Sequence, residues 1–267
     1  MEDVQSRSDD RNLPIQRVGV TNLRYPIAVL DRQHKKQETV ASFTLSVSLP
    51  HQFKGTHMSR FIEVLNDHRG DVTMFTVPEI LADLQQRLDA ESARLEVAFP
   101  YFLDRSAPVT GAISMMDYEC AFIGDVHENA SDFVLRVTVP VTSLCPCSRE
   151  ISDYGAHNQR GYVTVELRTR PTPGGEAQMV WIEEVVDAVE RSASSPVFPL
   201  LKRPDERAVT MRAYDNPVFV EDLVRNVALE LREDDRVQWF SIRALNQESI
   251  HNHDAFAELE WSRNDER

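Results

Sequence analysis

The sequence predicts an α+β fold in which two tandem ββααββ modules follow one another, each an antiparallel sheet with its helices on one face. Three observations support this prediction. Some segments alternate apolar with polar residues, others repeat apolar residues at helical spacing, and the order strand, strand, helix, helix, strand, strand occurs twice. The first module is expected over residues 17–124 and the second over residues 130–262, and residues 1–16 are expected to form a flexible N-terminus.

The alternating segments predict strands, because successive side chains of an extended chain point to opposite faces. One face of each segment is apolar and the other is more polar, which is typical of antiparallel strands that are buried on one side. The predicted apolar faces are formed by Phe43, Leu45, Val47 and Leu49; Leu95, Val97 and Phe99; Phe133, Leu135, Val137 and Val139; Val163, Val165 and Leu167; and Ala255, Ala257, Leu259 and Trp261.

Four other segments place apolar residues three and four positions apart, and they predict helices that bury one stripe. The stripes are Met58, Phe61, Ile62 and Leu65; Ile80, Leu81, Leu84 and Leu88; Ile182, Val185, Val186 and Val189; and Val220, Leu223, Val224, Val227 and Leu231. The second of these helices is expected to begin with a capping box formed by Thr76 and Glu79. The fourth is expected to begin at Asn216 and Pro217, a suitable pair for the N-cap and first helical position.

The bulk composition narrows the class of protein. Of the 267 residues, 42% are hydrophobic and 27% are charged, as in ordinary globular proteins. A net charge of −14 argues against broad binding of nucleic acid or of an anionic membrane. No apolar run approaches the roughly 18 residues that a membrane span needs, and the polar N-terminus lacks the apolar core of a signal peptide. Three cysteines are too few for a disulfide framework, so we expect a reduced, cytoplasmic location.

The segment PVTSLCPCSREISDYGAHNQRG, residues 140–161, joins two predicted strands and is long and polar for such a connection. It contains Cys145, Cys147 and His157. Thiolate and imidazole ligands together suit a metal such as zinc, and we expect one cysteine to bind the metal while the other packs. The alternative is a surface loop whose cysteines are incidental.

A second cluster, Glu248-Ser-Ile-His251-Asn-His253, comes immediately before the last predicted strand. Histidines two positions apart on an extended segment point to the same side. Two imidazoles on one side could bind a metal or shuttle protons, because their unperturbed pKa of about 6.5 suits general acid and base catalysis. The alternative is an exposed polar turn that leads into the strand.

Two basic segments could meet phosphate oxygens. They are PLLKRPDER, with Lys202 and Arg203, and KGTHMSRF, with Lys54 and Arg60 at the start of a predicted helix. Lysine and arginine bind phosphate through charge-assisted hydrogen bonds, and helix N-termini favour anions. A carboxylate of the first segment could also complete a metal shell. The alternatives are a solvated run of charges in the first case and plain helix capping by Thr56 in the second.

Taken together, these segments resemble one enzyme family. The motifs GTHMSR, PVTSLCPCS-x-EIS-x-YGAHNQR, LLKRPDE, AY-x-NP-x-FVED and ESIHNH recur in this order in the type IB GTP cyclohydrolases, and the resemblance covers nearly the whole chain. It implies the tunnelling fold, with two ββααββ modules per subunit, and a homotetramer whose active sites lie at subunit interfaces. It also implies the first reaction of folate synthesis, in which GTP and water give 7,8-dihydroneopterin triphosphate and formate.

The resemblance also implies roles for individual residues. Cys145, His157 and Glu206 would hold the catalytic metal, zinc or manganese, so that the first cysteine of the pair is the ligand. His251 and His253 would be catalytic residues near C8 of the purine, together with Cys145. The predicted substrate-binding residues are Glu221 for the guanine edge and Lys54, Arg60, Lys202 and Arg203 for the triphosphate. Spacing alone does not decide whether Glu221 is a solvated glutamate on a helix or a carboxylate that faces a site and accepts hydrogen bonds from guanine.

Some positions depart from many relatives, and two rival functions remain open. Ser195, Val197 and Met211 differ from the residues expected there, but none occupies a proposed metal or guanine position. One rival is another tunnelling-fold enzyme that acts on a pterin or a deazapurine. The other is a non-catalytic protein that binds a metal or a nucleotide.

Overall fold

The computed structural model of the chain describes residues 5, 7–68, 70, 72–127, 130–172 and 177–266. Its strands are β1 (Ile15–Asp31), β2 (Lys35–Leu49), β3 (Ser92–Ser106), β4 (Ile113–His127), β5 (Ala130–Leu144), β6 (Asn158–Thr169), β7 (Ser195–Pro196), β8 (Val237–Gln247) and β9 (Ala255–Ser262). Its helices are α1 (Met58–Asp67), α2 (Val77–Leu88), α3 (Pro146–Ile151), α4 (Ile182–Ser192), α5 (Arg203–Asp215) and α6 (Val220–Glu233), followed by a 3-10 turn at Arg263–Glu266. Among the described residues, no helix is long and apolar enough to cross a membrane.

The strands form one sheet in which hydrogen-bonded neighbours follow the order β1-β2-β3-β4-β5-β6-β8-β9, and the two-residue strand β7 pairs with β5. The pairs β1–β2, β2–β3, β6–β8 and β8–β9 are all antiparallel. This arrangement, with helices between strand pairs, is the predicted α+β architecture. The element order of the first half is the predicted ββααββ. The second half adds α3, β7 and α5 to the same series.

The residues pack into two compact units. The first comprises Met1–Pro100 with Ala121–Leu135, and the second comprises Tyr101–Cys120 with Arg136–Arg267. Strands β3, β4 and β5 each contribute residues to both units. The predicted module limits of 17–124 and 130–262 mark where the series of strands and helices repeats, whereas the compact units are defined by packing. The module limits therefore stay a prediction.

The core of the first unit is formed where α1 and α2 cover β1 and β2. The predicted strand face of β2 is buried from Phe43 to Leu49, and Phe61 and Leu65 of α1 are buried with it. Gly124 of β4 shows how closely α2 approaches the sheet, because a Cβ atom there would lie 2.5 Å from the Val77 side chain. At so short a distance a larger residue would push the helix away.

In the second unit, α6 packs on β8 and β9 and against α4. Every predicted stripe residue of these two helices is buried. The end of the β3–β4 hairpin belongs to the same unit, and it is joined to α4 by hydrogen bonds. Tyr101 donates to Glu183 over 2.8 Å, and Tyr118 donates to Glu190 over 2.9 Å.

Two predicted helix starts are wrong in detail. Helix α2 begins at Val77, but the Thr76 side chain does not cap it, and the Thr76 hydroxyl bonds to the backbone of Thr73 instead. Helix α6 begins at Val220, whereas Asn216 is the C-cap of α5 and its side chain donates to the carbonyl of Ala193. Both side chains form hydrogen bonds with residues outside the helix that each was expected to cap. The local sequence does not show these partners.

The N-terminal segment follows the loop after β2. Backbone hydrogen bonds join Asp9 to Gln52 and Lys54 to Arg7, both within the first unit. Residues 1–4 and 6 of the expected flexible N-terminus lie outside the described residues, and its flexibility stays a prediction.

The sequence does not predict α5 as a helix, because this segment has no apolar stripe and resembles a solvated run of charges. Its start is organised by Asp205, which is fully buried. The carboxylate accepts hydrogen bonds from the backbone N–H groups of Val109, Thr110 and Lys202 and from the Thr110 hydroxyl, all between 2.7 and 3.0 Å. Burial raises the pKa of Asp205, but the hydrogen bonds from Thr110, Lys202 and Val109 outweigh it and hold the pKa well below its usual range.

We expect Asp205→Asn to lower Tm by several degrees at pH 7, because an amide nitrogen cannot accept from these donors. The folded-state pKa lies below the unfolded value of about 3.9, so the ionised carboxylate stabilises the fold fully above that pH. The difference in Tm between wild type and variant should therefore stay constant from pH 7 to 5 and shrink only below pH 4. Asp215→Asn, at the exposed end of the same helix, is the control for thermal unfolding; equal Tm values for wild type and Asp205→Asn at pH 7 would contradict the assignment.

Candidate active site

A pocket of about 290 Å³ lies in the second unit, where β5, β6 and β8 approach the start of α6. It brings together a thiol, three imidazoles and two carboxylates from segments that are far apart in the chain. The residues that line it are Ser143, Cys145, His157, Gln159, Val218, Phe219, Val220, Glu221, Asn246, Glu248, His251, His253 and Ala255.

Cys145 and His157 are held next to each other by the backbone. Strand β5 ends at Leu144, and Cys145 is the N-cap of α3. The Cys145 N–H donates to the His157 carbonyl over 3.1 Å. The Ser148 hydroxyl donates to the Cys145 carbonyl and accepts from the His157 N–H, each over 3.1 Å. These bonds join the two ends of the connection between β5 and β6, residues 145–157, and both side chains line the pocket.

Cys147, the other cysteine of this loop, is exposed and does not line the pocket. The expectation that the second cysteine packs is therefore wrong for the single chain. Helix α3 separates the two thiols because Cys145 precedes its first turn, whereas Cys147 lies on the helix itself.

The buried side-chain amide of Gln159 connects two groups of the pocket, His157 and Glu248. Gln159 is 7% exposed. Its Oε1 lies 2.8 Å from Nδ1 of His157, and its Nε2 donates to Oε1 of Glu248 over 3.2 Å. The same imidazole nitrogen lies 4.0 Å from the other Glu248 oxygen, beyond hydrogen-bonding distance. Gln159 is thus the only direct hydrogen-bonded bridge between His157 and Glu248 among the described residues.

The two histidines after β8 lie side by side. The rings of His251 and His253 stack with their centroids 5.0 Å apart and an interplanar angle of 20°. Both residues are exposed, and bends rather than an extended strand bring them together. The rings can therefore reach a ligand in the pocket while remaining open to solvent for proton exchange.

One wall of the pocket is built from a chain of buried hydrogen bonds. The Asn246 amide donates to the Ser143 hydroxyl over 3.0 Å, and that hydroxyl donates to the Val218 carbonyl over 2.8 Å. The Val218 N–H donates to the carbonyl of Leu144, so both polar backbone groups of Val218 are anchored to β5. Glu221, in the first turn of α6, lies just beyond this anchor, and its exposed carboxylate lines the pocket.

Comparison with known proteins decides the family. The family described as type I GTP cyclohydrolase folE2 matches the chain over residues 1–257. This chain belongs to that family. The GTP cyclohydrolase FolE2 of Magnetococcus marinus is 54% identical over 260 residues, which are 97% of this chain and 96% of that protein. Those of Nitrosococcus oceani and Geobacter sulfurreducens are 50% and 52% identical over 97% of this chain and over 95% and 98% of their own lengths.

Urate oxidases are among the solved structures with a similar fold. A uricase from Bacillus fastidious superposes with a TM-score of 0.58 at 7% identity and covers 94% of this chain and 95% of its own. The urate oxidase from Bacillus subtilis 168 gives a TM-score of 0.54 at 11% identity, over 94% of this chain and all of its own. At such identities the likeness concerns the fold alone. It confirms the tunnelling fold that the cyclohydrolase resemblance implied.

The pocket contains five of the site residues that the cyclohydrolase family implies and lacks the others. Cys145, His157, Glu221, His251 and His253 line it. Those that do not line it are Glu206, Lys202 and Arg203, which are exposed at the start of α5, and Lys54 and Arg60, which belong to the first unit. Within the described ranges, no three His, Cys, Asp or Glu side chains are grouped closely enough to hold a metal ion.

The sequence analysis does not identify the polar residues that support the pocket, namely Ser143, Gln159 and Asn246, and it gives Glu248 no role. A signal was present in two of them. Gln159 precedes Val163 and Val165 on the buried face of β6, and Asn246 follows Ile242 and Ala244 on the buried face of β8. A polar residue in phase with a buried apolar face needs a partner inside the protein.

Gly161 provides a test of the pocket wall formed by the hydrogen bonds of Asn246, Ser143 and Val218, because Gly161 lies opposite Asn246 in the β6–β8 pair. A Cβ atom at this position would lie 2.7 Å from Asn246 Oδ1 and 3.2 Å from Val141 Cγ2. Asn246 is held by Ser143, so we expect Gly161→Ala to lower the free energy of unfolding by about 1–3 kcal/mol. Chemical denaturation measures this change. The matched control is Gly55→Ala, whose Cβ would meet Gln5 at an ordinary 3.5 Å, and equal effects in the two variants would refute the close approach.

Proposed function

We propose that this chain hydrolyses GTP at C8 of the purine ring and gives 7,8-dihydroneopterin triphosphate and formate, the first step of folate synthesis. The observation that carries the proposal is the convergence of Cys145, His157, His251 and His253 with Glu221 in one pocket. Releasing C8 as formate requires two C–N bonds to be hydrolysed in the same site, with protons delivered to both ring nitrogens. A pocket with several imidazoles next to a carboxylate suits this demand.

Glu221 is the proposed anchor of the guanine base. Its carboxylate is exposed at the pocket, in the first turn of α6. Two carboxylate oxygens match the N1–H and the exocyclic amino group of guanine, which are parallel donors. Binding at this edge leaves C8 on the far side of the purine. His251 and His253 are the proposed acid and base groups there.

A divalent metal, zinc or manganese, is the proposed cofactor, with Cys145, His157 and Glu206 as ligands. Thiolate and imidazole donors of the right chemistry line the pocket together, and Glu206 supplies a carboxylate at the start of α5, outside the pocket lining. Bound there, the metal would supply Lewis acidity at the reacting carbon. The third ligand would join the pair when the metal binds or when subunits assemble.

The size and charge of the pocket support an assembled site. The pocket volume of about 290 Å³ lies just below the roughly 300–1,000 Å³ typical of ligand sites, and it suits a base better than a whole nucleoside triphosphate. None of the described lining residues is a lysine or an arginine. We therefore propose that Lys54, Arg60, Lys202 and Arg203 bind the triphosphate in a homotetramer whose active sites lie at subunit interfaces.

The free thiols of Cys120, Cys145 and Cys147 support the proposed cytoplasmic location, since unpaired cysteines are typical of a reducing compartment.

The deciding experiment incubates the full-length chain with GTP and either Mn²⁺ or Zn²⁺ and measures formate and the fluorescent pterin formed after oxidation. We expect both products in equal amounts. Cys145→Ala should abolish them and lose the bound metal, because the thiolate is a proposed ligand. Cys147→Ala should keep the metal, as measured by elemental analysis per chain.

The outcomes separate the competing functions. Metal binding without formate would favour a non-catalytic protein. Turnover of a pterin or a deazapurine in place of GTP would favour another tunnelling-fold enzyme. Near-normal formate release by Cys145→Ala would remove that residue from the site.

Glu221→Gln should raise KM for GTP at least about tenfold, because an amide nitrogen would face the guanine N1–H and a charged hydrogen bond is worth roughly 1.5–3 kcal/mol. Steady-state kinetics with formate as the readout measures the change. Glu233→Gln, at the exposed end of the same helix, is the matched control and should leave KM unchanged. An unaltered KM for Glu221→Gln would exclude Glu221 as the base anchor.

A further inference from the structure

Glu248, Gln159 and His157 form a line of hydrogen bonds at the edge of the β6–β8 pair. The register of that pair places Arg160 opposite Gln247, and Gln159 and Glu248 occupy the next position along. Gln159 contacts Glu248 through Nε2 over 3.2 Å and His157 through Oε1 over 2.8 Å. Gln159 is 7% exposed, so its amide has little access to water, and His157 and Glu248 satisfy its hydrogen-bonding groups instead.

The carboxylate decides which way the amide points. An ionised carboxylate accepts hydrogen bonds and has none to donate, so the amide group next to Glu248 must be the NH₂ group. The reverse orientation would place two acceptor oxygens 3.2 Å apart without a proton between them. The carbonyl Oε1 of Gln159 is therefore directed at His157.

The amide in turn decides which ring nitrogen of His157 carries the proton. We propose that Gln159 is a positioning residue that holds His157 as the Nδ1–H tautomer and leaves Nε2 as the unprotonated nitrogen. A carbonyl oxygen only accepts, so Nδ1 must donate. The other groups near Nδ1 agree with this assignment, since the Ser249 hydroxyl at 3.5 Å and the Glu248 carboxylate at 4.0 Å can both tolerate a donor there.

The tautomer has a chemical consequence. A neutral imidazole with a free Nε2 can bind a metal ion or take up a proton, whereas one protonated at Nε2 can do neither at that atom. This consequence rests on the function proposed above. The tautomer itself does not, because it follows from hydrogen bonds within the protein.

Long-range ¹H–¹⁵N correlation spectra of the metal-free, full-length chain, labelled at histidine nitrogen, read the tautomer directly. The pH is chosen so that the ring is neutral, and His157→Asn identifies the signals. We expect Nδ1 of wild-type His157 to resonate as a protonated nitrogen and Nε2 as an unprotonated one. In Gln159→Met the two signals should shift toward the opposite pattern or toward an average of the two.

Two further variants keep the test decisive. Glu248→Gln replaces a group that only accepts hydrogen bonds with an amide that can also donate, so the orientation of the Gln159 amide is no longer imposed. This variant should therefore also produce a mixture of tautomers, even if Gln159→Met fails to fold. Ser249→Ala removes only the 3.5 Å neighbour and should leave the wild-type pattern. Metal affinity should fall about 10- to 100-fold in Gln159→Met, as is usual for the loss of a group that orients a ligand.

A wild-type ring protonated at Nε2, or an unchanged pattern in both Gln159→Met and Glu248→Gln, would overturn the proposal. The formate assay is independent of this spectrum. Absent formate with the expected tautomer would refute the proposed function alone, and formate release with the opposite tautomer would refute the role of Gln159 alone.

Discussion

The pocket depends on the hydrogen bond from the backbone N–H of Cys145 to the carbonyl of His157, 3.1 Å long. The connection of residues 145–157 leaves β5 and returns as β6, and this bond closes it where the two strands part. Ser148 reinforces the closure by bonding to the backbone of both residues. Because backbone and hydroxyl groups hold the loop, a thiol and an imidazole arrive side by side at the pocket. The rest of the site is arranged around that pair.

Buried polar groups extend this arrangement in two directions. Gln159 links His157 to Glu248, and Asn246 with Ser143 links β8 to the chain that enters α6. Each buried donor or acceptor is costly unless it is paired, so these side chains have few alternative positions. Asn246 Oδ1 is an exception, since it is buried and has no hydrogen-bond partner in the part of the chain that the structure describes.

The pocket of one chain is suited to one part of the proposed substrate. It offers carboxylates and imidazoles, which match a guanine base and proton transfer, whereas a triphosphate needs concentrated positive charge. The chain carries a net charge of −14, so that positive charge must be supplied locally by a few side chains. The basic residues named by the family resemblance lie outside the pocket lining, and an assembly that brings them to the base would reconcile the two observations.

The sequence by itself determined the α+β class, the buried faces of β2, β3 and β6 and most helix stripes, because these follow from local periodicity, whereas the predicted face of β9 is only partly buried. The sequence also identified the family, through motifs spread over nearly the whole chain. Tertiary structure alone decided that the buried carboxylate of Asp205 accepts several hydrogen bonds at the start of α5. It also decided that Cys147 is exposed and that Gln159 and Asn246 support the pocket. These features depend on the register of β6 against β8 and on loops meeting from distant positions, and no local pattern encodes such long-range pairing.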